Sequence, residues 1–213
     1  MKQIKLIVPL LILYAAGISY AQVPQDYYNR GYVYAEKGNV QDAIDEFSAA
    51  LKLQPDKEMK TRIHYNLGQL HTRMESHSDA VQHFKAASEL EPNQFLIQIA
   101  LANAYKNNEN FAEAIPHYNK ALVLDESRKY SDSINYNLGI CYNSTEQYID
   151  AIKSLGKILD KDSNHTGALR QVAIAYLHLR QYVDAEKILN KLEHLGHPQR
   201  DLFLQLQQAQ KTQ

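Results

Sequence analysis

The sequence contains nine histidines, the side chains best suited to bind a transition metal or to transfer a proton near neutral pH. His64 and His71 are seven residues apart, and His194 and His197 are three apart. Neither pair is completed by a cysteine or a carboxylate at the spacing usual for a zinc site. The sequence therefore predicts no metal site and no bound cofactor.

The other reactive side chains do not form a recognisable catalytic arrangement either. The sequence has no glycine-rich phosphate loop, nucleophile elbow or His-Glu-x-x-His pattern. Neighbouring acids such as Asp42, Asp45 and Glu46 fit a solvated helix face and the preference of carboxylates for helix N-termini. Cys141 is the only cysteine and is predicted to be an inert buried residue, with a reactive or dimer-forming thiol as the alternative. We expect no catalytic residue, and an enzyme with an unrecognised site is the minor alternative.

Composition favours a helical protein that acts through its surface. Hydrophobic residues make up 45% of the chain and charged residues 22%, which is ordinary for a folded domain. Only 8 glycines and 6 prolines occur, too few for a protein built from many tight β-turns. The net charge of −1 lacks the basic excess that nucleic-acid binding requires.

Residues 1–21 have the layout of a secretory signal peptide. Two lysines, an apolar run and small residues follow one another: Lys2, Lys5, Leu6–Ala16, Gly17, Ser19 and Ala21. Cleavage is predicted between Ala21 and Gln22. The alternative is an uncleaved anchor, although the apolar run of about 16 residues is shorter than the ~20 that span a bilayer. No second hydrophobic stretch follows, so we expect an exported, periplasmic or extracellular protein, with a leader of bacterial style.

The rest of the chain repeats a two-part pattern. Small residues recur at intervals of 37, 34, 37 and 34, namely Gly31, Gly68, Ala102, Gly139 and Ala173. A second set of alanines follows in register, namely Ala43, Ala80, Ala114, Ala151 and Ala185. Four residues after each alanine comes a large apolar residue, namely Phe47, Phe84, Tyr118, Leu155 and Leu189. Such spacing indicates amphipathic helices, and a period near 34 is the length of one helix–turn–helix unit.

This pattern resembles the tetratricopeptide repeat family over about residues 24–199. The resemblance implies an all-α fold, a right-handed α-solenoid of about five helical hairpins with a C-terminal capping helix. The implied hairpins span 24–57, 61–94, 95–128, 132–165 and 166–199, and residues 200–213 form the capping helix and tail. Within each hairpin, glycines such as Gly139 are expected where two helices approach closely, with alanines as their small counterparts.

The resemblance also implies that the first helix of each hairpin lines a concave groove that binds a protein or peptide. The candidate groove residues are Tyr28, Asn29, Tyr32, Arg62, Tyr65, Asn66, Gln69, Arg73, Asn103, Lys106, Tyr136, Asn137 and Arg170. Asn29, Asn66 and Asn137 occupy equivalent positions, where they either contact a bound peptide or reach only water. The excess of basic groove residues indicates an acidic or C-terminal carboxylate partner, or simply solvated surface charge.

Two functions follow from these features. The first is a non-catalytic scaffold in the cell envelope that binds a peptide or protein partner, with no small-molecule substrate. The second is a structural or assembly accessory that associates with itself, favoured if apolar residues of the final helix, such as Leu202 and Leu206, are exposed. Binding to chaperone C-termini is not expected, because neutral Leu96 and Ala100 occupy positions where relatives with that function carry cations.

Overall fold

The structure, a computed structural model, describes residues 23–211. The predicted leader, with its cleavage position between Ala21 and Gln22, and residues 212–213 lie outside this part of the chain. Within it there are eleven α-helices and no β-strand, which confirms the predicted all-α repeat fold. The helices are α1 (Pro24–Glu36), α2 (Val40–Lys52), α3 (Lys57–Arg73), α4 (His77–Leu90), α5 (Phe95–Asn107), α6 (Phe111–Leu124), α7 (Ser131–Ser144), α8 (Tyr148–Leu159), α9 (Thr166–His178), α10 (Tyr182–His194) and α11 (Arg200–Lys211).

Consecutive helices pair into five hairpins, α1–α2 to α9–α10, and each hairpin packs on the next. The core is accordingly divided into clusters shared between neighbouring hairpins: Ala43, Phe47 and Ala50 of α2, for example, pack with Ile63 and Leu67 of α3. None of the helices within residues 23–211 combines the length and apolar character needed to cross a membrane.

The paired helices approach closely at the glycines, as predicted. The residues that face the glycines are not the predicted alanines. A Cβ atom on Gly68 would lie 2.7 Å from the ring Cε1 of Phe84, and one on Gly139 would lie 2.5 Å from the Cγ of Leu155. The glycines are thus opposed by the large residue of the second helix and not by its alanine. The absent side chain makes room for an aromatic or leucine side chain that fills the hairpin interior.

Each hairpin turn places one residue in the left-handed region of backbone space. The five positions are Gly38, Glu75, Glu109, Glu146 and Arg180, with φ between 57° and 80°. Only the first is glycine, the residue that adopts this conformation without steric cost. Packing of the paired helices, more than local sequence, therefore determines this turn.

The two 37-residue intervals have different structural causes. In the first, α3 begins early and reaches 17 residues, and the Asp56 side chain caps it by accepting a hydrogen bond from the Met59 backbone N–H at 2.8 Å. In the second, a turn separates α6 from α7. The buried Asp125 carboxylate organises that turn by accepting from the Tyr130 N–H at 2.9 Å and the Ser131 hydroxyl at 3.2 Å.

The first helix of the array has a polar outer face. Ile63, Leu67 and Leu70 of α3 are buried against the preceding hairpin, whereas the equivalent positions of α1 hold Asp26, Arg30 and Val33. The Arg30 guanidinium lies 2.8 Å from a Glu46 carboxylate oxygen and over the Tyr27 ring. Helix α1 therefore faces water with charged side chains where later hairpins bury apolar ones.

At the other end, α11 covers the last hairpin as expected. Its buried residues Leu202 and Leu206 pack with Leu189 and follow Ala168 and Val172 of α9 by 34 positions. Helix α11 thus occupies the position that the first helix of a sixth hairpin would have. The position expected to hold a small residue is occupied by exposed Gln207, and no second helix packs on it within residues 23–211.

Candidate functional site

Two clefts lie on the side of the first three hairpins that their first helices line. The first, of about 320 Å³, lies between α1, α3 and the start of α5 and includes Tyr28, Arg62 and Asn66. The second, of about 520 Å³, lies between the C-terminal half of α3 and the length of α5 and includes Arg73 and Asn103. Tyr65 and Leu96 line both clefts, so the two form one furrow along the facing sides of α3 and α5.

In the first cleft the polar groups are already partly engaged. The Asn66 side-chain amide donates to the Tyr28 hydroxyl at 3.2 Å, and the Arg62 guanidinium lies 5.4 Å from the centre of the Tyr28 ring. Arg62 also lies 3.8 Å from exposed Glu58, and Glu91 pairs with Lys57 at 2.8 Å. The cleft therefore combines an aromatic floor with charges that largely compensate one another.

The second cleft is lined mainly by apolar residues, amides and one cation. Leu96 and Ile99 form much of its wall, and Arg73 is its only charged residue. The hydroxyl of fully buried Tyr118 donates to the Asn103 Oδ1 at 2.5 Å. Burial raises the pKa of Tyr118 far above its ordinary value, so its hydroxyl remains a donor and Asn103 the acceptor.

Side chains in the C-terminal half of the predicted groove are instead bonded to one another between hairpins. Lys106 donates to the Asn137 Oδ1 at 3.1 Å. The Arg170 guanidinium donates to Gln199 at 2.8 Å and to Asp201 at 3.3 Å. These residues connect successive hairpins through hydrogen bonds between their side chains.

Of the other predicted groove residues, some line the furrow and others lie elsewhere. Gln69 and Tyr65 line the furrow together, whereas Asn29 accepts a hydrogen bond from Gln25 at 2.7 Å and lies on the exposed side of α1. Tyr32 is 51% exposed and lines neither cleft. Tyr136 lies near the start of α9, and its ring is 5.8 Å from that of His165, the residue before this helix.

The three equivalent asparagines therefore differ. Asn66 and Asn137 bond to neighbouring hairpins, and Asn29 bonds within α1. Sequence reasoning missed Thr72 and Asn107 as furrow residues. Asn107 lies four positions after Asn103 on α5, so the helical period could have identified it.

Three of the nine histidines cluster inside the second hairpin. The Nδ1 atoms of His64 and His83 are 3.1 Å apart, and the His71 ring stacks on His83 with 5.2 Å between ring centres. Burial lowers the pKa of His83 to about 4, with the nearby His64 and His71 adding to the effect, and burial likewise lowers the pKa of His64. Within residues 23–211, no three histidine, cysteine, aspartate or glutamate side chains converge as metal ligands.

Cys141 lies buried among the core residues shared by α6 and α7. Burial raises the pKa of its thiol to about 11. The thiolate is the reactive form of cysteine, so this environment disfavours thiol chemistry near neutral pH.

Stacked helical hairpins with an open concave furrow define a class of repeat proteins that bind partners along an extended surface. Three tetratricopeptide repeat family models match the chain, over residues 26–91, 95–128 and 143–209. Together they cover most of the 213 residues. The chain belongs to the tetratricopeptide repeat family, whose members typically act as non-catalytic scaffolds for other proteins.

Solved structures share this architecture. A tetratricopeptide repeat protein from Parabacteroides merdae ATCC 43184 is 19% identical, with 89% of this chain and 73% of that chain covered and a TM-score of 0.69. YrrB, described as a protein with an unusual peptide-binding site, is 18% identical, with 87% and 90% covered and a TM-score of 0.70. PilW, a type IV pilus biogenesis factor, is 20% identical, with 89% and 87% covered and a TM-score of 0.62. At these identities the likeness shows the fold alone.

Proposed function

We propose that this protein is a non-catalytic scaffold that binds an extended segment of a partner protein in the furrow between α3 and α5. The observation that carries the proposal is the continuity of the two clefts through Tyr65 and Leu96. Leu96 is 57% exposed. Covering it with an apolar side chain of a partner would be favourable, because this removes apolar surface from water. Binding of peptides by YrrB shows that a similar fold can hold such a ligand.

The chemistry of the furrow suits a peptide. Tyrosine rings supply rigid apolar contact at low entropic cost, and amides such as Asn66 and Asn103 offer hydrogen bonds to a peptide backbone. Tyr28 and Tyr65 follow one another at equivalent positions along the concave side. An extended chain placed there can alternate apolar and polar contacts.

We further propose that the protein acts outside the cytoplasm. The support is the basic, apolar and small-residue order of residues 1–21. The test is mass spectrometry of the protein recovered from a bacterial envelope: a mature chain that begins at Gln22 supports export, and an intact chain in the cytosol contradicts it.

Partner binding is tested with two aspartate variants at exposed apolar positions. Leu96→Asp places a charge in the furrow, whereas Ile149→Asp changes a residue at the start of α8 that is 72% exposed and lies outside the furrow. Photo-crosslinking in the native envelope, with the crosslinker at Tyr65, should give one saturable adduct that Leu96→Asp abolishes and Ile149→Asp retains. Far-ultraviolet circular dichroism confirms that both variants remain helical. An adduct of unchanged yield in Leu96→Asp contradicts the proposal.

The second candidate function is self-association through the end of the array. Leu202 and Leu206, whose exposure would have favoured it, are buried, and the support comes instead from their neighbours Phe203 and Leu204. Exposed Leu204 and half-buried Phe203 border an open cleft of about 370 Å³ between α10 and α11. Sedimentation velocity at high protein concentration distinguishes this function: a dimer abolished by Leu204→Asp supports it, and a monomer at every concentration contradicts it.

A further inference from the structure

The histidine cluster of the second hairpin, His64, His71 and His83, is held together by contacts that need unprotonated rings. The Nδ1 atoms of His64 and His83 are 3.1 Å apart, so one of these atoms carries a hydrogen and the other accepts it. A histidinium carries a hydrogen on both ring nitrogens, so protonation of the accepting ring breaks this bond. The Nδ1 atom of His71 is buried without a hydrogen bond within residues 23–211, and its ring stacks on that of His83. Protonation therefore brings like charges into contact between α3 and α4.

The charged groups around the cluster offset only a small part of this repulsion. Burial lowers the pKa of His83 to about 4, with His64 and His71 adding to the effect, and Asp79 opposes it. The exposed Asp79 carboxylate lies 3.9 Å from the His71 Nδ1 atom. Burial also lowers the pKa of His64, and the charge of Lys60 adds to that effect. Within residues 23–211, the charged groups that act on these two pKa values all belong to α3 or α4, so one carboxylate opposes three histidines and a lysine.

The same helix contact forms the floor of the second cleft. Phe84, which follows His83 on α4, is buried and lines the cleft. A Cβ atom on Gly68 of α3 would lie 2.7 Å from its ring, and the centre of the Tyr65 ring lies 5.7 Å from the centre of the Phe84 ring. The other two histidines of the cluster lie about one turn before and after Gly68. Separation of α3 from α4 at the cluster would therefore withdraw Phe84 from the cleft.

The cluster is particular to the second hairpin. The position of His71 is tyrosine in the four other hairpins, namely Tyr34, Tyr105, Tyr142 and Tyr176. The positions of His64 and His83 hold, from the first hairpin onward, Tyr27 and Glu46, Gln98 and His117, Asn135 and Ser154, and Leu169 and Ile188. Among the five hairpins of residues 23–211, only the second therefore gathers three side chains that gain charge below about pH 6.5.

We propose that this cluster is an acid-sensitive gate: protonation separates α3 from α4, dismantles the furrow and releases the partner segment. The inference rests on the proposed function and adds its regulation. In the opened hairpin the histidines regain their ordinary pKa near 6.5, so the open state binds more protons than the closed state and is favoured as the pH falls. From the values for His83 alone, a change from pH 7.5 to pH 5 favours opening by roughly 25-fold. Local opening is possible in such arrays because each hairpin contacts only its neighbours.

Opening is measured by native-state hydrogen exchange at pH 7.5 and pH 5, with the rates corrected for the intrinsic effect of pH. Amides of α3 and α4 should open at least tenfold more often at pH 5, whereas those of α7 and α8, whose hairpin has no histidine at the equivalent positions, should change less than twofold. In His83→Gln the rise should shrink to below threefold. A glutamine already faces a histidine in the third hairpin, where His117 and Gln98 are hydrogen-bonded at 2.8 Å. His71→Tyr, which introduces the residue of the other hairpins, should also reduce the rise. Equal changes in α3–α4 and α7–α8, or an undiminished rise in both variants, overturn the gate.

Release is measured by photo-crosslinking from Tyr65 in a bacterial envelope extract buffered at either pH. The adduct yield of wild type should fall at least twofold at pH 5, and that of His83→Gln should stay as it is at pH 7.5. Because the partner is the same in both cases, an effect of pH on the partner itself would lower both yields equally, and that outcome overturns the gate. Absence of an adduct with wild type at pH 7.5 contradicts the proposed function, and the exchange measurement then still decides whether acid opens the hairpin.

Discussion

At the scale of single residues, the interiors of the second and third hairpins contain pairs of polar side chains that bond to one another. Residues 19 positions apart face each other between the paired helices, as His64 with His83 and His117 with Gln98 show. The corresponding pair in the fifth hairpin is apolar, Leu169 with Ile188. A buried polar group that keeps its partner costs little, whereas one without a partner costs about 1–3 kcal/mol. The second hairpin is the most polar of these interiors, and its stability should depend on protonation.

We predict that acid destabilises the protein through this histidine cluster. The folded-state pKa of His83 is about 4, whereas an unfolded histidine titrates near 6.5. The unfolded chain therefore binds more protons between these values, so stability is fully present above about pH 6.5 and falls as the pH is lowered toward 4. The groups that face His83 are His64, His71 and Asp79, and Asp79 opposes the effect only partly.

The measurement is the free energy of urea unfolding at pH 7.5 and pH 5. In His83→Gln the free energy of unfolding should decrease less between pH 7.5 and pH 5 than in wild type, because glutamine does not titrate and can still bond to His64. His197→Gln, at an exposed position, should show the same decrease in unfolding free energy as wild type. An equal decrease in unfolding free energy in wild type and His83→Gln would assign the acid sensitivity to other groups.

At the scale of the helical hairpin, the contact between a small residue and a large one sets how closely the two helices approach. Gly139 shows this most clearly. Leu155 of the facing helix is fully buried, and its Cγ atom lies 2.5 Å from where a Cβ atom of residue 139 would be. Gly156 lies one position after Leu155 on α8, yet a Cβ there meets nothing within 4 Å. Two glycines of one hairpin thus have opposite roles.

We predict opposite stability changes for alanine at these two positions. Gly139→Ala should destabilise the protein by about 1–3 kcal/mol, because its methyl group overpacks against Leu155. Gly156→Ala should stabilise it by about 0.5–1 kcal/mol, because alanine has the better helix propensity and no steric conflict arises. Chemical unfolding of the two variants beside wild type measures both changes. A Gly139→Ala variant as stable as wild type would show that α7 and α8 can separate without cost.

The helices could be predicted from the sequence because their period and small anchors are local features. The predicted counterpart of the glycines was wrong for a geometric reason: the small alanines mark close packing, but Phe47, Phe84 and Leu155 lie directly over the glycines. The furrow was predicted only in part. Whether Lys106 and Arg170 project into the groove or bond to the next hairpin depends on side-chain rotamers and on the offset between hairpins, and neither is encoded in a residue spacing.

At the scale of the whole molecule, the fold is a linear array in which each hairpin contacts its neighbours along the chain. Stability in such arrays is approximately a sum of terms for single repeats and for the interfaces between them. The two ends of the described array are protected differently. Helix α1 faces water with Asp26 and Arg30, whereas the last full hairpin is covered by a single helix, α11, through two buried leucines.

Within residues 23–211, α11 contacts only the fifth hairpin, so we expect a destabilising substitution in α11 to have a local effect. We predict that Leu206→Ala costs about 2–3 kcal/mol, from lost burial and the cavity left beside Leu189, while Leu204→Ala on the same helix changes stability by less than about 0.5 kcal/mol because Leu204 is exposed. Native-state hydrogen exchange resolves where the loss occurs. Amides of α11 and α10 should exchange faster in Leu206→Ala. Those of α3 to α6, which hold the furrow and lie three or four interfaces away, should exchange as in wild type. Uniformly faster exchange along the chain would mean that the array unfolds as one cooperative unit, so that binding in the furrow and the covering of the far end would be coupled through global stability.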